Sequence, residues 1–165
     1  MKKKLLLSLC LMAIAVVAFC LWYTRPQTFW QATGMDRDNI TGASGYAVEG
    51  HVTAGQASLQ TWMLNDLTPG QEDYEGLLEL LEQPSYRASL ENFLPPSSHP
   101  AAKIIAWVSF SFADDLVTVQ ADYPGKVWIS FTGRHSRTLV FSVSPRELNE
   151  TLADFIQQQG VAGNS

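Results

Sequence analysis

Three histidines, two short carboxylate groups and a pair of tryptophans are the residues of this chain whose types suit chemistry. His51, His99 and His135 lie far apart, and none has a second ligand at the i+2, i+3 or i+4 spacing of a local metal site. They read as solvated loop histidines. Asp36-x-Asp38-Asn39 supplies three oxygen-bearing side chains, but apolar Ile40 follows where a calcium loop needs further oxygens and a distal glutamate. Asp114-Asp115 falls at an expected hairpin turn, and both acidic groups read first as turn formers. No nucleophile elbow, Walker loop, zinc-protease helix or dinucleotide fingerprint occurs. No catalytic, cofactor-binding or metal-binding residue is therefore assigned, and no cofactor is expected. The enzymatic alternative is a non-local site built from Asp114, Asp115, Asp122 and His135 on neighbouring hairpins.

Trp107 and Trp128 are the candidate binding residues. Both fall on strands, in the phase opposite the strongest apolar positions and beside Ser109, Ser111, Ser130 and Thr132. If that face is open, it is a polar sheet surface bearing two indoles, suited to a glycan, a peptide or a partner protein. If another segment covers it, both indoles are core, which the usual burial of large aromatics favours.

The elements that would position them are legible from alternation and capping. Residues 104–112, 116–123, 127–131 and 139–143 alternate as strands joined by short turns, which predicts a four-stranded antiparallel meander with one apolar face. A weaker hairpin precedes it, from Ala43–Val48 and Ser58–Asn65. Thr68-Pro69-Gly70-Gln71 and Ser144-Pro145-Arg146-Glu147 read as capping boxes that start two helices. Tyr74, Leu77, Leu78 and Leu81 stripe the first helix, and Leu148, Leu152, Phe155 and Ile156 stripe the second. Phe29 to Gly34 reads as a brief helical turn, and Tyr86 to Leu94 as a strand or short helix. The fold expected is α+β, with helices packed on one face of the meander.

Ahead of this domain, Lys2, Lys3 and Lys4 precede an uncharged run from Leu5 to Tyr23 that ends in Trp22-Tyr23. As a helix the run measures roughly 28 Å, which reads as a membrane-crossing signal-anchor. The lysines then stay cytoplasmic and everything from Thr24 outward is extracytoplasmic. A signal-peptidase cut before Phe19, giving a secreted soluble domain, and a lipobox ending at Cys20 are the rival readings. The expected organisation is 1–23 lysines and anchor, 24–34 spacer and short turn, 35–160 α+β domain, and 161–165 frayed tail.

Of the 165 residues, 11 are basic and 16 acidic, and setting the N-terminal lysines aside leaves the domain more acidic still. Such a balance offers no basic patch to nucleic acid. Cys10 and Cys20 both lie in the apolar run, so the domain has no thiol for a disulfide, a zinc-thiolate site or redox work. The weak hairpin, the helix Asp73-Tyr74-Glu75-Gly76-Leu77-Leu78-Glu79-Leu80-Leu81 and the pair Tyr86-Arg87 are together similar in layout to small bacterial single-pass membrane-anchored extracytoplasmic α+β proteins. Those families have no assigned function, so the resemblance carries no functional residue across. The function expected is a membrane-anchored binding or accessory protein whose partners are the membrane, through Leu5–Tyr23, and a membrane or cell-surface protein.

Overall fold

A computed structural model describes residues 2–53, 56–94, 104–112, 115–133 and 136–163. The helix α1 (Lys2–Tyr23) leads into α2 (Phe29–Thr33), followed by the long strands β1 (Gly42–Thr53) and β2 (Gln56–Leu67). Then come α3 (Glu72–Glu82), β3 (Ser85–Ala88), β4 (Ile104–Ser111), β5 (Leu116–Tyr123), β6 (Lys126–Thr132) and β7 (Arg137–Ser144). Helix α4 (Leu148–Gln159) and the two-residue β8 (Val161–Ala162) close the order.

All eight strands belong to one antiparallel sheet, in the order β3-β7-β6-β5-β4-β1-β2-β8. This corrects the expected four-stranded meander with a separate preceding hairpin. β1 pairs with β4 from Gly42↔Ser111 to Glu49↔Ile104, so the hairpin extends the meander. On the far side Tyr86 and its neighbours pair with β7, which splits the stretch Tyr86–Leu94 into a strand and the 3-10 turn Leu90–Phe93. Neither long-range pairing has a local signal: an alternating segment shows its faces but not its neighbour.

Strict alternation then sorts the side chains. Ala43, Ala47, Leu64, Leu67, Ala106, Val108, Phe110, Val119, Ala121, Val127, Ile129, Phe141 and Val143 are buried on one face. Against them lie Leu77, Leu78 and Leu81 of α3 and Leu148, Leu152 and Ile156 of α4, all buried. Helix α4 rides over β1, β2, β4 and β5, where alanines and Gly45 leave room. A Cβ on Gly45 would stand 3.2 Å from Ile156 Cγ1 and 3.4 Å from Leu64 Cβ. Helix α2 packs between β3 and α3, with Trp30 Nε1 donating to Glu82 Oε1 at 2.9 Å. Arg37 forms an ion pair with Glu75. Under α2, Tyr86 is fully buried, and its hydroxyl donates to the Leu81 carbonyl at 2.8 Å.

Both expected capping boxes change form. Helix α3 begins at Glu72 without a side-chain cap, because Gln71 Oε1 instead accepts from the Thr68 backbone N–H at 3.0 Å and closes the preceding turn. Helix α4 begins at Leu148, also without one. The reciprocal box sits at α2, where Thr28 Oγ1 accepts from the Gln31 N–H and Gln31 Oε1 accepts from the Thr28 N–H.

The membrane reading is also corrected. Among the described residues no helix is long and apolar enough to cross a membrane. The apolar run lies within α1 (Lys2–Tyr23). Its last turns also pack on protein. Phe19 and Tyr23 meet the Phe93 ring at 6.0 and 4.9 Å between centroids, and Asn92 Nδ2 donates to Tyr23 Oη at 3.0 Å. The transmembrane, signal-anchor and single-pass assignments are accordingly withdrawn.

Replacing Gly45 by valine forces branched carbons into the α4 contact. Overpacking of this kind costs about 1–3 kcal/mol. Urea unfolding should show a lower midpoint with an unchanged slope, while Ser44→Val, on the exposed side of the same strand, should leave the midpoint near that of the parent.

Candidate functional site

The helices cover one face of the sheet, and the alternate residues of every strand stand on the other. Registers place Met63, Tyr46, Trp107, Gln120, Trp128 and Val140 side by side in one row across β2, β1, β4, β5, β6 and β7. Tyr46, Trp107, Gln120 and Trp128 are each half-buried, in contrast to the alanines and valines between them, which are fully covered. Trp107 and Trp128 thus share one face and one row, separated by a single strand, about 10 Å. Trp62, the third strand tryptophan, pairs with Ala47 and lies on the helix side.

Two aromatic neighbours complete the surface. The Tyr46 and Trp107 rings are 4.4 Å apart, and Tyr123 meets Trp128 edge-on at 5.8 Å. Tyr123 reaches this face through a bulge: the β5–β6 register shifts between Gln120 and Tyr123, so Ala121 and Asp122 together oppose Val127 and Tyr123 pairs with Lys126. Beside the aromatic row runs a hydroxyl row, Ser44, Ser109, Thr118, Ser130 and Thr138. Ser109 and Thr118 share a hydrogen bond of 3.0 Å, and Ser130 and Thr138 one of 2.9 Å.

On the other flank of the aromatic row stands Asp122. Gln120 Nε2 donates to its Oδ2 at 2.7 Å, while Oδ1 is shielded from solvent without a hydrogen-bond partner. Burial raises the pKa of this carboxyl, and the Gln120 hydrogen bond offsets that only in part. Farther along this flank, Lys126, Ser142 and Arg87 are in register on β6, β7 and β3. Lys126 Nζ binds both oxygens of Glu91, at 2.8 and 3.0 Å.

The enzymatic alternative needs carboxylates in one place. Asp115 precedes β5 and Asp122 lies near its other end, roughly 23 Å away by strand rise. Asp114 and His135, like His99, lie outside the described residues. His51 falls in β1, opposite Ser58, rather than in the loop expected for it. Asp36 caps the 3-10 turn Arg37–Asn39, accepting from the Asp38 N–H at 3.2 Å, which is turn chemistry. Among the described residues no group of three or more His, Cys, Asp or Glu side chains is placed to hold a metal ion. A cleft of about 780 Å³ lies at the far end of the sheet, and Asp36, Asp115 and Arg137 on its wall are exposed.

Comparison with protein-family models, with curated proteins and with solved structures found no match.

The sequence phase of Trp107 and Trp128 was legible, but Tyr46, Gln120, Asp122 and Tyr123 were not seen as their neighbours. Those contacts depend on register and on the bulge, which a single strand does not announce.

Asp122 makes stability pH-dependent in a definite direction. Its folded pKa lies above the value of 3.8 of the free side chain, so the folded state binds the extra proton. Stability from this group is greatest in acid and is lost as pH rises from about that value through the raised pKa. Asp122→Asn should flatten that fall, seen as a smaller drop in thermal midpoint between acid and neutral pH.

Proposed function

We propose that this protein is a binding module whose ligand-contacting surface is the sheet face opposite α3 and α4, centred on Trp107 and Trp128. The observation that carries the reading is the aromatic row: on the face opposite α3 and α4, indole and phenol rings stand half-exposed in register on β1, β4 and β6. Surfaces that bind through a few rigid aromatics set among hydroxyl and amide groups have this composition. The rings are carried by the interior of the sheet, where strand pairing on both sides fixes their spacing before any ligand arrives.

The hydroxyl row supports the same reading. Ser109 with Thr118 and Ser130 with Thr138 satisfy one another in pairs, yet each oxygen keeps further capacity to donate or accept toward a ligand. Asp122 and Gln120 add a directional acceptor and donor on the other side of the rings.

Site-specific photo-crosslinking tests this directly. With a benzophenone amino acid at Thr118, between the two tryptophan-bearing strands, irradiation in the native host should give a discrete adduct. The same residue at Glu79, on α3, should give none. Trp107→Ala should abolish the Thr118 adduct while circular dichroism and thermal midpoint stay close to those of the parent. Equal adducts from both positions, or a Thr118 adduct indifferent to Trp107, would contradict the assignment.

A further inference from the structure

Resting on that reading, we infer that the ligand is a carboxylate-bearing glycan, a chain of sugar rings with uronic acid units. Its rings would lie along the aromatic row, with an acid group held by Arg87 and Arg146.

The geometry of the row comes first. From Trp107 on β4 to Arg87 on β3 the face crosses four strand spacings, roughly 19 Å, the length of a short oligosaccharide. Apolar faces of sugar rings stack on aromatic side chains, and their hydroxyls need neutral donors and acceptors. Both are present here in adjacent rows, Tyr46, Trp107 and Trp128 beside Ser109, Thr118 and Ser130.

Charge then selects among glycans. At the β6–β7–β3 end the face carries one positive charge in excess, although the chain carries a net charge of −5. Lys126 is engaged by Glu91, and Asp122 stands nearby on β5, so together with Arg87 these make two positive and two negative charges and leave no excess. The excess comes from Arg146. It projects from the segment after β7 and lies against the 124–125 turn, where a Cβ on Gly125 would meet its Nε at 3.0 Å and its Cγ at 3.2 Å. Gly125 has φ 77° and donates its N–H to the Arg146 carbonyl at 2.7 Å, so turn and arginine are held together. Neither Arg87 nor Arg146 has an ion pair among the described residues. Beside Arg146 a groove of about 590 Å³ is lined by Tyr123, Pro124, Gly125, Lys126 and Ser142, room for one sugar unit, and Arg87 is the register partner of Ser142 on the next strand.

Two guanidiniums on an acidic protein suit a ligand with sparse planar acids, which they bind through paired N–H donors. A densely sulfated chain would instead meet Glu91, Asp122 and the overall negative field. The carboxylate of a uronic acid unit fits this balance.

The test is binding of the full-length protein to immobilised polygalacturonate and, in parallel, to uncharged hydroxyethylcellulose. The parent should bind the acidic polymer at least about tenfold more tightly, a preference that weakens as salt rises. Arg87→Gln/Arg146→Gln should erase the preference and leave any binding to the neutral polymer unchanged, with thermal midpoints showing that the variant is folded. Gly125→Ala, which displaces Arg146 from its seat, should reduce the preference in the same direction. Equal binding to both polymers would overturn the acidic-ligand inference and leave the sheet-face reading standing. Binding to neither would overturn the inference, and the Thr118 adduct would then decide the sheet-face reading separately.

Discussion

The close approach of α4 to a floor of small residues is the contact on which the rest of this structure depends. Ala43, Gly45, Ala47, Ala106 and Ala121 occupy the positions under the helix on three strands, and larger side chains there would lift it away. With α4 seated, Leu148, Leu152 and Ile156 become fully covered and α3 gains a flank to pack against. The covered face then holds nearly all the aliphatic core. Because strand side chains alternate, everything not on that face must stand on the other. Burial of one face by helices therefore determines which residues are presented on its opposite.

The presented face differs in kind from the covered one. It has aromatics, hydroxyls, an amide and a few charges where the helix side has alanine, valine, isoleucine and phenylalanine. A surface left bare only because the protein lacked more helices would not need rings in register or two hydroxyl pairs. The Asp122 carboxyl is a partly buried member of the face. One of its oxygens is shielded with no partner, an arrangement that penalises the charged form.

Much of this was legible in the sequence, and the misses share a cause. Alternation located the strand runs of the meander and the phase of Trp107 and Trp128, and leucine spacing marked the α3 and α4 stripes, because those signals are periodic and local. The single eight-stranded sheet was not legible. Pairing of β1 with β4 and of β3 with β7 joins segments with no local mark of each other, and Tyr86 reads equally as helix or strand until β7 lies beside it. Capping residues were recognised by type at 68–71 and 144–147, yet Gln71 was drawn into a turn with Thr68, while the reciprocal box formed at Thr28 and Gln31. The apolar run of α1 suggested a membrane span by composition, whereas Phe19 and Tyr23 settle against Phe93. At the site, register and one bulge supplied what residue types could not.

One sheet face is sealed by helices and the other is open, with its aromatics within reach of solvent. Hydroxyl-radical footprinting read by mass spectrometry measures this residue by residue on the intact protein. Tyr46, Met63, Trp107 and Trp128 should label readily, while Tyr74 and Tyr86, at 1% and 0% exposure, should be protected until the protein unfolds. Protection of Trp107 and Trp128 as complete as that of Tyr86 would mean that both faces are buried, and the account of this surface would fail.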